Sequence, residues 1–282
     1  MIRVKTLLHA LRRMHGGVTW RCWGNPVDVL VETILSQNTS NANSQAGYKQ
    51  LRRRFRTWAA VADAPVEEVA QAIRVSGLSN IKAPRIQSIL RQIREANVAR
   101  ASRPRNRSIG HDPMIAKPVR TPDAGGTPTK HAGKMPAPRA ISLEHLRDLP
   151  PREAWRRLME FNGVGPKTAA CVLLFSFGMP IFPVDTHIVR IAVRLGLVPP
   201  RTGAEKCQDL LEPRIPPGDR YEMHVLLITH GRKTCRAISP KCEWCDLIDE
   251  CPDGQKSEIR STKSETNPKR QIPNPKRRRH AP

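Results

Sequence analysis

Apolar residues along this chain recur at the three- and four-residue spacing that is typical of α-helices. Val27, Leu30, Val31, Ile34 and Leu35 form one such face. The same pattern predicts further helices at 65–77, 86–93, 151–161, 168–177, 185–196, 210–211 and 225–228. No segment alternates apolar and polar residues as a half-buried strand does, so the sequence predicts an all-α fold.

Local signals mark several helix ends. Asn25 followed by Pro26 is a strong helix start, because the side chain of Asn caps free N–H groups and proline fits the first helical position. Asp185 is placed to cap a later helix, and Gly77 and Gly196 follow the last periodic residues of two others.

Two segments lack apolar periodicity. Residues 97–140 contain nine Lys and Arg against two Asp, with seven Pro, and residues 253–282 contain nine Lys and Arg against three acids. Neither has enough apolar side chains to offset the entropy cost of ordering. We therefore expect a disordered basic insert at 97–140 and a disordered basic tail at 253–282.

The whole chain carries a formal charge of +23. No stretch is long and apolar enough for a membrane span, and the N-terminal residues lack the pattern of a signal peptide. A charge this positive favours a polyanionic partner, with nucleic acid first. Charge alone does not separate an enzyme from a binding module.

Four cysteines lie close together in sequence: Cys235, Cys242, Cys245 and Cys251, with six, two and five residues between them. Disulfides are disfavoured because nothing indicates secretion. Zinc and a [4Fe–4S] cluster both accept four cysteine ligands, so the spacing leaves both open. Cations near these cysteines, among them Arg236 and Lys241, would face a phosphate. Cys22, Cys171 and Cys207 are isolated and are expected to fill apolar space.

A second signal is the turn Gly163-Val164-Gly165 between two predicted helices. Glycines let the backbone approach a ligand, and free amides at a helix start bind phosphate, although an ordinary helix–helix turn has the same pattern. Lys167 begins the second helix and is either a surface lysine or an amine nucleophile. Asp185 is either a cap alone or also a carboxylate that stabilises a sugar cation.

These motifs together resemble the endonuclease III family of helix-hairpin-helix base-excision glycosylases. The similarity lies in the hairpin, in Val184-Asp185-Thr186-His187, in His230-Gly231-Arg232 and in the four-cysteine spacing, with weaker matches at 34–39 and 77–83. It covers about residues 5–96 and 141–252.

The resemblance implies a [4Fe–4S] cluster held by the four cysteines, and two helical domains with a DNA-binding cleft between them. A six-helix barrel containing the hairpin would span 24–178, and a cluster domain would join 1–23 to 179–252. The family removes damaged bases, mainly oxidised pyrimidines, from double-stranded DNA and cleaves abasic sites. Lys167 would be the nucleophile and Asp185 its activating carboxylate.

Gln37 and Leu78 would fill the base stack when a nucleotide is extruded, and Gly163, Val164, Gly165, Arg236 and Lys241 would contact the DNA backbone. We expect a monomer in a reducing, intracellular compartment, cytoplasmic and associated with the nucleoid.

The sequence departs from the family pattern in three places. Asn162 stands where a proline is usual, Ser40-Asn41 stands where an aspartate is common, and the insert at 97–140 is not a family feature. Glu32 lies near the position of a catalytic glutamate in related adenine glycosylases, so a monofunctional mismatch glycosylase for adenine, uracil or thymine is the main alternative. A DNA-binding protein without catalysis is the other.

Overall fold

The structure is a computed structural model that describes residues 2–102 and 141–255. These residues contain eleven α-helices and no strand, which confirms the all-α prediction. The helices are α1 (Val4–His15), α2 (Pro26–Leu35), α3 (Asn41–Arg54), α4 (Trp58–Asp63), α5 (Val66–Ala72), α6 (Ser79–Ala101), α7 (Pro151–Met159), α8 (Pro166–Val172), α9 (Thr186–Arg194), α10 (Ala204–Leu211) and α11 (Arg220–Lys233).

Helix ends follow the local signals in the sequence. The Asn25 side chain accepts a hydrogen bond from the Val27 N–H at 2.9 Å, and α2 begins at Pro26. The Asp185 carboxylate accepts one from the Ile188 N–H at 3.0 Å and caps α9. Gly77 and Gly196 have φ of 68° and 66°, a conformation that favours glycine where helical segments end.

The helix predicted at 168–177 changes its winding. It is regular only as far as Val172, and Leu173–Phe177 form a π-helical turn that ends at Gly178. Such turns are rare in proteins and are frequently found at functional sites.

The chain divides into two compact units. Unit 1 comprises residues 1–37 and 144–282, and unit 2 comprises residues 38–143. These limits differ from the predicted division, which set the hairpin segment apart from residues 179–252, whereas unit 1 contains both.

The core of unit 1 brings together distant parts of the sequence. Leu7, Leu8 and Leu11 of α1 are buried against side chains of α9 and α11. In the same unit α8 packs against α2 and α7. The segment that carries the hairpin is therefore surrounded by helices of its own unit.

A buried carboxylate connects four parts of unit 1. Glu212 is only 4% exposed and accepts hydrogen bonds from Arg152 of α7 at 2.8 Å and from Arg220 of α11 at 3.3 Å. It also accepts from the Phe182 N–H at 3.1 Å and from the Gln208 side chain of α10 at 3.2 Å. Arg220 in turn donates to the carbonyls of Pro180 and Ile215. A buried charge with this many donors is satisfied, whereas an unpaired one is costly.

Unit 2 is organised around α6. The buried Gln87 side chain donates to the carbonyls of Val61 and Ala64 at 2.9 and 2.8 Å, and Arg91 donates to that of Ala62 at 2.8 Å. These bonds satisfy carbonyls at the C-terminal end of α4, which its own helix leaves free.

The predicted disordered segments begin too early at both places. Residues 97–101 are helical, because α6 continues to Ala101 and the Asn97 side chain donates to the Ser142 carbonyl at 2.9 Å. Asp253 pairs with Arg194 at 3.2 Å, so the tail is ordered at its start. The remaining parts, 103–140 and 256–282, lie outside the described residues. Within the described ranges, every helix is too short or too polar to cross a lipid bilayer.

Replacing Glu212 with Gln should lower the free energy of unfolding by about 3–5 kcal/mol, because Arg220 then remains buried without its counter-charge. Denaturant titration measures the change. The matched control is Glu153→Gln, which removes an exposed partner of Arg157 at 3.7 Å and should cost less than about 1 kcal/mol. Equal losses in the two variants would contradict a central role for Glu212.

The histidine at the centre of unit 1 should make stability depend on pH. His224 is buried between the rings of Phe175 and Phe182, and its Nδ1–H donates to the Pro183 carbonyl at 2.9 Å. Burial is the main cause that lowers its pKa to about 4. In the unfolded chain the pKa of a histidine is about 6.5. Between about pH 6.5 and about pH 4, therefore, the unfolded chain binds a proton at this residue that the folded protein does not bind.

The free energy of unfolding should therefore fall as the pH drops from about 6.5 to about 4, by up to about 1.4 kcal/mol per pH unit from this residue. His224→Phe should reduce that slope, and His9→Gln, at an exposed position of α1, should leave it unchanged. Some slope should persist, because burial also lowers the pKa of His230 to about 4. An unchanged slope in His224→Phe would refute the assignment.

Candidate active site

A side chain of α7 fixes the turn between α7 and α8. The Trp155 indole of α7 donates to the Pro166 carbonyl at 3.1 Å, which fixes the first turn of α8. Val164 is 5% exposed and its N–H donates to the Phe161 carbonyl at 3.0 Å, so its side chain lies in the core as expected. Gly163 has φ of 96°, which a residue with a side chain rarely adopts.

The two glycines of the turn differ from Val164 in the hydrogen bonds of their backbone amides. The Val164 amide donates within the turn, whereas no backbone carbonyl of the described residues accepts from the amides of Gly163 and Gly165. A Cβ atom built on Gly165 would meet no atom within 4 Å. The turn therefore presents open backbone at the two glycines, and Val164 shapes it.

Lys167 and Asp185 both influence the electrostatics of the same two buried side chains. Lys167 is the second residue of α8, and Asp185 caps α9; both side chains are partly exposed. The charge of Lys167 lowers the pKa of both Cys171 and His224, and the charge of Asp185 raises both. Burial dominates in each case and brings the Cys171 pKa to about 11 and that of His224 to about 4.

Both charges thus act on the same two buried groups, although 17 residues separate Lys167 from Asp185 in sequence. The segment that leads to Asp185 also contacts one of these groups, since the Pro183 carbonyl accepts a hydrogen bond from the His224 ring. An amine and a carboxylate that reach a common substrate can carry out nucleophilic attack and proton transfer on it.

Helix α9 connects Asp185 to the four-cysteine loop. Arg190 donates to the Cys235 carbonyl at 2.9 Å and to the Gly231 carbonyl at 2.9 Å. Arg194 donates to the Cys235 sulfur at 3.3 Å and to the Arg236 carbonyl at 2.7 Å. The two arginines satisfy carbonyls at the C-terminal end of α11 and in the loop that follows.

Close contact between α9 and α11 depends on Gly231. A Cβ atom built there would lie 2.9 Å from the Cβ of His187, closer than atoms of this kind approach. This contact explains why glycine occupies the middle of the His230-Gly231-Arg232 motif.

The four cysteines line one small cavity of about 30 Å³, together with Arg194, His230 and apolar side chains such as Leu195 and Leu247. None of the cysteines in the described residues forms a disulfide. Burial is the main cause that raises the pKa of Cys245 to about 11, and the other three thiols of the cavity contribute to this shift. Several thiolates here would need a compensating positive charge, which a bound metal centre supplies.

Hydrogen-bond donors surround the sulfur atoms. The Gly254 N–H donates to the Cys251 sulfur at 3.4 Å, and the His230 ring lies 3.7 Å from the Cys245 sulfur. The second ring nitrogen of His230, Nδ1, lies 3.1 Å from the Nε2 atom of His15. Donors of this kind orient metal-bound thiolates and lower their charge density.

This donor set fits a thiolate-bound metal centre, although among the described residues no three ligands converge on the position of a single ion. Cys171 and Cys207 are buried as predicted. Cys22 is exposed and contradicts its predicted role as an apolar filler, because its segment runs along the surface of the π-helical turn.

The remaining candidates lie at the surface. Gln37 is partly exposed just after the end of α2, and Arg236 and Lys241 are exposed in the cysteine loop. In unit 2, Leu78 is 49% exposed and has φ of 50°, which is strained for leucine. The DNA contacts assigned to these residues, and to the hairpin, stay predictions.

Glu32 is half-buried in α2, and burial raises the pKa of its carboxyl group, with a smaller contribution from Asp28. Sequence reasoning overlooked Glu212, Arg190 and Arg194. Only the i, i+4 spacing of the two arginines on α9 could have drawn attention to them.

Comparison with known proteins agrees with this arrangement. Residues 31–217 match the family model described as HhH-GPD superfamily base excision DNA repair protein. Endonuclease III of Thermotoga maritima is 30% identical over 227 residues, which are 80% of this chain and 83% of that protein. The DNA glycosylase/AP lyase ROS1 of Arabidopsis thaliana is 32% identical over 74% of this chain and 14% of its own length.

Four plant relatives share 32–39% identity with the chain, which spans less than two thirds of the length of each. A solved structure, a non-covalent endonuclease III–DNA complex, matches with a TM-score of 0.66 at 25% identity, over 92% of this chain and 100% of that one. The chain therefore belongs to the HhH-GPD superfamily of base excision DNA repair proteins and, within it, to the endonuclease III family.

Proposed function

We propose that this protein is a DNA glycosylase with abasic-site lyase activity, which removes oxidised pyrimidines from double-stranded DNA. The observation that carries the proposal is that the charges of Lys167 and Asp185 act on the same two buried groups, His224 and Cys171, while Asp185 caps α9 at the end of the segment that contacts His224. Names of relatives support both activities, since one is a DNA glycosylase/AP lyase and another an endonuclease III.

In the proposed reaction the target nucleotide leaves the base stack, because its anomeric carbon is inaccessible inside the duplex. The Lys167 amine attacks C1′, the bond from C1′ to the base breaks, and the base leaves with a proton from the amine. The C1′–O4′ bond then opens and O4′ takes up a proton, so that C1′ and the amine nitrogen form a protonated Schiff base, which acidifies the C2′ proton. Loss of that proton breaks the C3′–O bond and cuts the strand.

Asp185 stabilises the positive charge that develops on the sugar and assists the proton transfers. Its capping bond to the Ile188 N–H holds the carboxylate in one orientation. The open amides of Gly163 and Gly165 would bind a phosphate next to the extruded nucleotide. Arg236 and Lys241 would contact the DNA backbone, and Gln37 and Leu78 would occupy the gap in the stack.

We also propose that Cys235, Cys242, Cys245 and Cys251 hold a [4Fe–4S] cluster, as the family resemblance implies. Its contribution when bound would be structural, because it would fix the loop that carries Arg236 and Lys241. Arg190 and Arg194 tie this loop to α9 and so to Asp185.

Glu32 supports a second candidate, a monofunctional mismatch glycosylase that leaves the abasic site uncut. Its carboxyl group is half-buried and has a raised pKa, as that of a general acid would. Strand cleavage without alkali separates the two candidates, since only the bifunctional enzyme cuts the strand by itself.

Lys167→Gln should abolish borohydride trapping of a covalent protein–DNA adduct on abasic-site duplexes, because the variant lacks the proposed nucleophilic amine. Duplex binding should persist. Lys206→Gln, at an exposed site on α10, is the matched control and should trap as the unaltered protein does.

Asp185→Asn tests the carboxylate in the same assay. Asparagine caps helices as well as aspartate does, so stability should change by less than about 1 kcal/mol. Single-turnover base excision should fall by about 100-fold to 10,000-fold. Trapping retained in Lys167→Gln would refute the lysine assignment, and full activity in Asp185→Asn would refute that of the aspartate.

The protein purified under reducing, oxygen-free conditions should show the broad absorbance near ~400 nm of thiolate-bound iron. Cys245→Ser should lose this band and should destabilise the protein, because a ligand of the cluster is missing. Cys22→Ser, at the exposed cysteine outside the cavity, should keep both. Stoichiometric zinc without iron in metal analysis would contradict the cluster.

A further inference from the structure

An exposed segment of unit 1 crosses the π-helical turn, and we call residues 17–24 the tryptophan strap. Three consecutive carbonyls of the turn accept hydrogen bonds from it. Leu174 accepts from the Trp20 indole at 2.9 Å, Phe175 from the Trp23 N–H at 3.0 Å, and Ser176 from the Cys22 thiol at 3.3 Å. The strap and the π-helical turn therefore define each other's conformation.

Further contacts fix both indole rings. Trp23 packs over Phe175 with 4.2 Å between ring centroids, and its indole N–H donates to the Tyr221 hydroxyl at 3.1 Å. Trp20 lies against Gly178, where a Cβ atom would come within 3.3 Å of the ring. The start of the strap is held by the Val18 N–H, which donates to Glu222 at 3.1 Å.

Both rings nevertheless leave large areas open. Trp20 is 41% exposed and Trp23 is 50% exposed. Because both indole N–H groups are already bonded within the protein, the open areas offer π-faces rather than donors. Arg21 lies exposed between them. Such a surface suits a flat aromatic ligand that is attached to a phosphate.

Ring contacts connect the strap to the segment that carries Asp185. Phe175, which packs against Trp23, makes an edge-to-face contact with His224 at 5.5 Å between ring centroids. The His224 ring in turn donates to the Pro183 carbonyl at 2.9 Å, two residues before Asp185. Two ring contacts and one hydrogen bond therefore lead from the exposed indole to the proposed catalytic carboxylate.

We propose that the tryptophan strap is the stacking platform for the extruded base, and that it makes the enzyme prefer planar aromatic bases to saturated, puckered ones. This inference rests on the proposed function and specifies its substrate class. A base that leaves the duplex loses its stacking partners, and an indole face replaces them without reading the base edge.

The test compares 5-hydroxyuracil, which is planar, with 5,6-dihydrouracil, which is saturated and similar in size, and with an abasic site, which has no base. In single-turnover assays Trp23→Leu should lower excision of 5-hydroxyuracil by about tenfold to a hundredfold. Excision of dihydrouracil should fall far less, and lyase activity on the abasic site should not change. Trp23→Phe should restore most of the loss.

Trp244→Leu is the matched control, because this tryptophan is 58% exposed but lies in the cysteine loop. It should excise both bases as the unaltered protein does. An equal loss of activity on all three substrates in Trp23→Leu would mean that the indole only supports the fold. Full activity in both Trp20→Leu and Trp23→Leu would mean that no base stacks on the strap. Either result overturns the proposal.

Tryptophan fluorescence provides a readout that is independent of turnover. A duplex with one unpaired planar pyrimidine should quench the unaltered protein and Trp244→Leu, and should quench Trp20→Leu or Trp23→Leu less. If the unaltered protein cleaves no substrate, the proposed function fails, and this titration still decides the role of the strap. Undiminished quenching in both strap variants overturns it.

Discussion

Burial of the Glu212 carboxylate is the constraint on which the geometry of unit 1 depends. Its donors come from α7, α10, α11 and the backbone at Phe182. Because a buried carboxylate without donors costs several kcal/mol, these four parts are held together. Helix α7 leads into the hairpin that precedes Lys167, and Phe182 lies three residues before Asp185. One carboxylate thus fixes the two chain segments that lead to Lys167 and to Asp185.

The π-helical turn also holds distant parts of unit 1 together through hydrogen bonds. It follows directly on the helix that carries Lys167, and three of its carbonyls accept hydrogen bonds from the tryptophan strap. The position of the strap therefore depends on that of α8. The proposed amine, carboxylate and aromatic surface come from three separate stretches of sequence, and His224 contacts both Phe175 of the turn and the Pro183 carbonyl before Asp185.

Several features could not be read from local patterns. Helix α3 was not predicted, because it buries only Ser44, Gly47 and Leu51 and so lacks an apolar face. Gly47 packs against Ser76, where a Cβ atom would lie 3.0 Å away, and small residues make such a contact without an apolar signature. The predicted first residues of the two disordered segments were wrong, because Asn97 and Asp253 are ordered by distant partners, Ser142 and Arg194.

The sequence by itself determined the helical class, the capped starts of α2 and α9, the hairpin turn and the cysteine spacing, because each depends on residues within a few positions of one another. The resemblance added the roles of Lys167 and Asp185. Only the tertiary structure decided which charges are buried together, how Glu212 gathers its donors and where the tryptophan strap lies. Most of those contacts join residues 30 to 204 positions apart, and no local periodicity encodes a partner that chain folding alone brings near.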